Sequence, residues 1–155
     1  MITAAPVPGL ERAFDVDARL GPLEDHGMTR AGHRRVVPIA GGRISGLFDA
    51  EILPGGADWQ LVRPDGTIEI DTRYSARTPA GEYIHLRTSG VRSGPPEILE
   101  ALLRGEPVAP SEYYFRIGVR LETSAPRLAV LERSIFVASA VREADRVYYA
   151  AYRVT

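Results

Sequence analysis

The stretch Thr67–Arg77, TIEIDTRYSAR, decides the fold class, because apolar and polar residues alternate along it without a break. One face carries its mostly apolar residues: Ile68, Ile70, Thr72, Tyr74 and Ala76. The other face carries its polar residues: Glu69, Asp71, Arg73, Ser75 and Arg77. This period of two predicts a half-buried β-strand. The preceding Arg63-Pro64-Asp65-Gly66 predicts the hairpin turn that leads into it.

Similar alternation recurs on both sides of this hairpin. Phe14–Leu20 and Tyr113–Thr123 both show it, with Gly and Pro at short, even intervals between the segments. One helix is predicted, from Pro96 to Leu103, because Pro stands at its start and Gly105 follows its end. We therefore predict a mainly β protein, a single antiparallel β-barrel of about eight or nine strands with one short helix. A barrel is preferred to a sandwich because a barrel leaves no unpaired edge.

Three further features concern how the chain is divided. Residues 1–10 are rich in proline and are predicted to form a flexible N-terminal arm, with residues 11–155 as the single barrel domain. Leu23–Gly32 is polar and is predicted to be a loop. Gly41-Gly42 is predicted to turn the chain between two strands.

The composition excludes several kinds of chemistry. All 19 basic residues are arginine, and the chain has no cysteine. The absence of lysine excludes Schiff-base catalysis and the Walker lysine of nucleotide-binding loops. The absence of cysteine excludes thiolate nucleophiles and cysteine-bound metals. The three histidines show no metal-binding spacing, so we expect neither a metal nor a cofactor.

Charge and hydropathy limit the partners. The net charge is −1 and no basic stripe is present, which argues against nucleic acid. No apolar run approaches the roughly 20 residues that cross a bilayer, so no membrane contact is expected. The first ten residues do not resemble a secretory signal, and the cytoplasm is the expected location. The expected partner is a small-molecule ligand.

Several linked motifs resemble those of one known family. They are Pro54-Gly55-Gly56-Ala57-Asp58-Trp59-Gln60, Arg63-Pro64-Asp65-Gly66, Asp71-Thr72-Arg73-Tyr74 and Tyr113-Tyr114-Phe115-Arg116. Together they resemble the family known as domain of unknown function 3237, over roughly residues 10–154. Glu132 and Ala140 depart from the family pattern, which usually has Asn and Gly there. The resemblance implies a small barrel similar to the allene oxide cyclase type, associated as a homo-oligomer. It implies no known reaction and no catalytic residues.

Asp58 and Trp59 form the first candidate site. An aspartate beside an aromatic ring at a barrel mouth can act as a general base, because partial burial raises the pKa of its carboxyl group. Trp59 would then form an apolar wall for a flat ligand. The competing interpretation, which the turn chemistry favours, has Asp58 bonding nearby backbone amides and Trp59 filling the core.

The polar faces of two strands form the second candidate site. If they point into the barrel, Asp71 or Glu122 would move a proton. Arg73, Arg116 and Tyr114 would bind and polarise the substrate. The competing interpretation places these side chains on the outer face, in ordinary cross-strand ion pairs. Periodicity alone favours the outer face, because apolar faces normally line a small barrel. The resemblance keeps both interpretations open, since the same residues lie in its motifs.

These candidates lead to three functional hypotheses. The leading one is a cofactor-independent isomerase, cyclase or lyase that uses carboxylate acid–base chemistry on a small hydrophobic or carbonyl compound. The second is a lipocalin-like protein that binds a small ligand without converting it. The third is a structural subunit of an oligomer. An enzyme requires charged groups around an inner cavity, whereas a carrier requires an apolar pocket with the charges outside.

Overall fold

Strands make up most of the chain, and the computed structural model describes residues 3–155. The strands are β1 Leu10–Leu20, β2 Glu24–Thr29, β3 Gly32–Gly46, β4 Ala50–Ile52, β5 Gly56–Val62, β6 Ile68–Arg77, β7 Tyr83–Ser93, β8 Tyr114–Thr123, β9 Phe136–Arg142 and β10 Arg146–Val154. Helix α1 spans Pro96–Leu103, as predicted, and two short 3-10 helices span Pro110–Glu112 and Pro126–Leu131.

The strands close into an antiparallel barrel of eight. Its order is β1-β10-β9-β8-β7-β6-β5-β3, and β3 pairs back with β1. Two strands are additional: β4 lies beside β5 between β3 and β6, and β2 extends along β3. The predicted antiparallel barrel with one short helix is therefore confirmed.

Two local predictions were wrong. The segment Leu23–Gly32 was predicted to be a loop, but it contains β2, which pairs with the start of β3. All but one of its six residues are exposed, so it has no apolar face that a hydrophobic pattern can reveal. Gly41-Gly42 was predicted to be a turn, but it lies inside the continuous strand β3, where the register with β1 shifts. Gly42 has φ 132°, and a Cβ atom there would lie 2.0 Å from the Asp17 carbonyl oxygen, so only glycine fits.

The barrel interior is apolar at one end. Phe14 of β1 packs against Phe48 and Phe136, with ring centres 5.2 and 5.6 Å apart. Leu128 and Leu131 of the second 3-10 helix belong to the same hydrophobic cluster. Because these side chains are all buried, this end of the barrel is a packed core and not a channel.

The ends of the described chain meet on the barrel wall. β1 pairs with β10 along nearly its whole length, and Gly9 and Thr155 exchange two backbone hydrogen bonds of 3.0 and 2.9 Å. Residues 3–9 are exposed and precede β1. Met1 and Ile2 lie outside the described residues, so the flexibility of the arm 1–10 stays a prediction.

The helices of the described residues are short. Within residues 3–155, none combines the length and the apolar character that a bilayer-crossing helix needs. The cytoplasmic location stays a prediction.

Candidate functional site

At the other end of the barrel, the inward positions become polar. Successive side chains of a strand point to opposite faces, so Asp58 and Gln60 of β5 share the inner face. Asp58 is 8% exposed and Gln60 is also buried. On the neighbouring strands, Thr72 of β6 lies opposite Asp58, and Thr88 of β7 lies opposite Thr72. Both threonines are buried, so a row of three polar side chains crosses the inner wall.

Asp58 is held by two hydrogen bonds to its carboxylate oxygens. The amide of Gln60 donates to Oδ2 at 2.8 Å, and the backbone N–H of Asp71 donates to Oδ1 at 3.0 Å. Burial raises the pKa of Asp58 above its ordinary value, although these bonds, Thr72 and the charge of Arg92 act in the opposite direction. The carboxyl group of Asp58 therefore keeps its proton to a higher pH than an exposed aspartate does.

Three arginines surround the same end of the interior: Arg35, Arg92 and Arg142. Arg92 is 3% exposed, and its guanidinium lies 5.6 Å from the centre of the Phe115 ring. Burial first, and then repulsion from Arg142, lowers the pKa of Arg92 to about 10, so Arg92 is charged at neutral pH. Within residues 3–155, the buried Nε atom of each arginine lacks a hydrogen-bond acceptor. None of the three forms an ion pair with a carboxylate of these residues.

Two tyrosines complete the polar part of the interior. The hydroxyl groups of Tyr74 on β6 and Tyr149 on β10 lie 2.5 Å apart. Burial raises the pKa of both phenols, so both are neutral and can donate a proton in a hydrogen bond. Since one hydroxyl donates to the other, one O–H of the pair remains free to donate to a ligand.

These side chains surround a cavity of about 40 Å³, which we call the polar cavity. Its polar lining residues are Asp58, Gln60, Thr72, Tyr74, Thr88, Arg92, Arg142 and Tyr149. Its apolar lining residues are Ala18, Leu20, Val37, Ile39, Ile70, Phe115, Ile117 and Val147. A buried carboxyl group, guanidinium groups and neutral phenols thus face one small space. Such a set can abstract a proton and stabilise the negative charge that develops.

The structure separates Trp59 from Asp58. Trp59 is 39% exposed and does not line the polar cavity, because adjacent strand residues point to opposite faces. The expected apolar wall beside Asp58 is instead supplied by residues such as Ile70 and Val37. One part of the competing interpretation agrees with the structure, since Asp58 accepts a hydrogen bond from a backbone amide, that of Asp71. The other part does not, because the exposed Trp59 does not fill the core.

The second candidate group does not converge inside the barrel. Its side chains lie on the outer faces of β6 and β8, alternating with inward apolar residues: Asp71, Arg73, Tyr114, Arg116 and Glu122. Asp71 lies 3.8 Å from the exposed Arg87, and the Arg116 guanidinium lies 5.3 Å from the Tyr114 ring centre. The outer-face interpretation describes these five residues, because the inner faces of the two strands are filled by apolar and buried polar side chains.

Comparison with known proteins places the chain in a family. The model of a protein family of unknown function, DUF3237, matches residues 8–154. The chain belongs to this family. It is also 40% identical over 149 residues to the UPF0311 protein blr7842 of Bradyrhizobium diazoefficiens, covering 96% of this chain and 98% of that one. The resemblance seen in the sequence motifs is therefore confirmed.

Solved structures of other proteins share the barrel fold of this chain. A conserved protein of unknown function from Rhodopseudomonas palustris, RPA1785, superposes with a TM-score of 0.92 at 38% identity, over 98% of this chain and 100% of that chain. An enzyme from Penicillium herquei superposes with a TM-score of 0.73 at 19% identity, over 99% and 100% of the two chains. At that identity the second likeness shows the fold alone.

Most residues of the polar cavity were not singled out from the sequence. Thr72 and Tyr74 did lie on the face assigned to the core. Polar side chains on an otherwise apolar face could therefore have indicated a polar site inside the barrel. Arg92 and Arg142 gave no such signal, because both lie at strand ends beyond the clearest alternation. Only Asp58 was both predicted as a catalytic candidate and found in the cavity wall.

Proposed function

We propose that this protein is a cofactor-independent isomerase, cyclase or lyase in which Asp58 moves a proton of a small carbonyl-containing compound. The observation that supports the proposal most is a buried Asp58 with a raised pKa in the wall of the polar cavity. A carboxylate with a pKa nearer to the working pH is a better general base, because it combines the correct protonation state with a stronger affinity for the proton.

The surrounding groups suit proton abstraction next to a carbonyl group. Removing such a proton moves negative charge onto the carbonyl oxygen, which then needs hydrogen-bond donors. Tyr74 and Tyr149 offer a neutral phenolic donor, and Arg92 offers a fixed positive charge in the same cavity. The apolar half of the lining lowers the local dielectric constant, which strengthens both interactions.

A direct test follows the exchange of carbon-bound protons. The wild-type protein is incubated in D2O with small ketones and keto acids, and NMR measures the loss of protons next to the carbonyl. Asp58→Asn is expected to lower the exchange rate by about 10²–10⁴-fold, the usual contribution of a general base. The wild-type rate is expected to rise with pH through the raised pKa of Asp58, because the ionised carboxylate is the base.

Asp71→Asn is the matched variant, since Asp71 is the neighbouring aspartate whose carboxylate lies outside the barrel. It is expected to keep the wild-type exchange rate. If Asp71→Asn abolishes exchange while Asp58→Asn keeps it, the proposed base is the wrong one.

A small-ligand carrier is the second candidate function. The eight apolar side chains of the cavity lining favour it, because carriers hold their ligands mainly through apolar contact. A carrier would bind the tested compounds and exchange none of their protons above the rate in buffer. That result would contradict the enzyme and support the carrier.

A further inference from the structure

Three arginines near the polar cavity, the buried Arg35 and Arg92 and the half-buried Arg142, form no ion pair with a carboxylate of residues 3–155. Among these residues, the Nη2 atom of Arg142 donates only to the Ala144 carbonyl oxygen, at 3.5 Å. Buried charges in proteins are almost always paired, because removing an ion from water costs several kcal/mol. Arg92 is as buried as the apolar core, and its Nε finds no acceptor among residues 3–155. The same holds for the buried Nε atoms of Arg142 and Arg35. Such an arrangement is explained if a bound ligand supplies the negative charge that balances the arginines.

The carboxylates of the chain near these arginines do not supply that charge. Asp58 attracts all three but forms no ion pair with them, and its oxygens already accept the bonds of Gln60 and the Asp71 amide. Asp25 acts on Arg35 from the surface, where its carboxylate is bonded to His33 at 2.7 Å. Asp145 acts on Arg142 from an exposed position and forms no ion pair with it. In the lining of the polar cavity, the two guanidinium groups of Arg92 and Arg142 face the single carboxyl group of Asp58, so the lining carries an excess of positive charge even with Asp58 ionised.

The size of the cavity narrows the choice of anion. A volume of about 40 Å³ is about three times the ~10–15 Å³ that one water molecule needs, so the space favours a small anionic group. A carboxylate group is small, whereas a phosphate group is larger. Arginine also matches the planar carboxylate, since two parallel N–H groups can donate to its two oxygens.

We propose that the polar cavity binds the carboxylate group of a small organic acid, with Arg92 and Arg142 as its partners. The proposal rests on the proposed function and names its substrate class: the reacting molecule is a carboxylic acid whose remaining atoms contact the apolar lining residues. Arg35, which is buried behind Gln60 in the β3–β5 pairing, adds positive charge without lining the cavity.

Acetate and acetamide provide the test, because they have nearly the same shape and differ in charge. The Nε–Hε signals of the arginines are followed by ¹H–¹⁵N NMR in the ¹⁵N-labelled protein during titration with each compound. Acetate is expected to shift the Arg92 and Arg142 signals to saturation in the millimolar range, as suits so small a ligand. Acetamide is expected to leave both signals in place. Equal effects of the two compounds, or no saturable effect of acetate, would overturn the proposal without reference to any variant.

Variants of two arginines on β7 distinguish specific binding in the cavity from a general attraction of anions to the surface. Arg92→Gln removes the inward guanidinium of β7 and is expected to weaken acetate binding at least about tenfold, the effect of losing a hydrogen bond to a charged group. Arg87→Gln removes an outward guanidinium of β7 and is expected to leave the affinity unchanged. Equal weakening in both variants would show attraction to the surface charge only and would contradict the proposal.

Asp58→Asn distinguishes this proposal from the proposed function. Acetate binding is expected to persist in that variant, and to tighten, because a negative charge near the arginines is removed. Saturable acetate binding with unaltered proton exchange in Asp58→Asn would leave the anion site intact and refute the base. Loss of exchange in Asp58→Asn, with no acetate binding to the wild-type protein, would refute the anion site and leave the base intact.

Discussion

Replacing Asp58 by asparagine is expected to make the folded protein more stable than the wild type as the pH rises. Because burial raises the pKa of Asp58, the folded state holds its proton more tightly than the unfolded state does. The wild-type free energy of unfolding should therefore fall as the pH rises from the ordinary aspartate value, about 3.9, to the raised pKa of the folded state. Asparagine does not titrate, so the variant escapes this loss.

The magnitude follows from the exchange of one proton. A single group changes the free energy of unfolding by at most about 1.4 kcal/mol per pH unit, so the variant should gain up to that amount per unit across the window. Near pH 4 the two proteins should be about equally stable. The structure allows this, because the asparagine side chain of the Asp58→Asn variant keeps an oxygen for the Asp71 amide. Gln60, whose Oε1 lacks a partner among residues 3–155, can rotate its amide to accept from the new N–H group.

Urea denaturation at several pH values between about 4 and about 8 measures the effect as the difference between variant and wild type. Asp65→Asn is a control for which the opposite dependence of stability on pH is expected. Asp65 is exposed, and the Thr67 amide lowers the pKa of its carboxyl group, so its contribution to stability grows with pH. Its removal should therefore cost stability at the higher pH values. A constant difference between Asp58→Asn and the wild type at every pH would refute the raised pKa.

Two further predictions concern the barrel wall and interior. Tyr149→Phe should lower the free energy of unfolding by about 1–3 kcal/mol, because it leaves the buried hydroxyl of Tyr74 unpaired; replacing both by phenylalanine should cost less than the two single changes together, as a double-mutant cycle in urea will show. Gly90→Ala should cost about 3 kcal/mol, because its Cβ would lie 2.1 Å from the Arg116 carbonyl oxygen. Gly118→Ala, whose nearest contact is 3.9 Å, is the matched control, and equal thermal unfolding of the two variants would contradict the clash.

The sequence predicts the barrel well because its strands alternate and its turns are marked. Thr67–Arg77 shows the alternation along its whole length, and the structure gives β6 as Ile68–Arg77. The exposed strand β2 was not predictable in this way, since its pairing with β3 leaves no apolar side to recognise. Hydrophobic patterning detects which side of a strand is buried, and β2 has no buried side.

The candidate site was harder to predict, because it depends on which strands meet. Alternation alone would have separated Asp58 from Trp59, since the two are adjacent in a strand. The cavity residues Arg92 and Arg142 lie 50 positions apart at the ends of β7 and β9, and only the closed barrel brings them together. The local sequence around each arginine does not indicate that the two lie close together in the fold. The usual rule that charged residues lie outside also points away from both arginines.

Because the first and last barrel strands pair with each other, the wall of the polar cavity depends on the longest-range pairing in the fold. Leu20 comes from β1, whereas Val147 and Tyr149 come from β10, more than a hundred residues later. During synthesis, β3 through β8 can pair with their neighbours while one side of the interior stays open to water. We expect the arginines and Asp58 to remain hydrated until β10 docks, so that the cost of desolvating them falls on the final closing step. Refolding should accordingly be slowed most by changes at this seam and at the charges that it encloses.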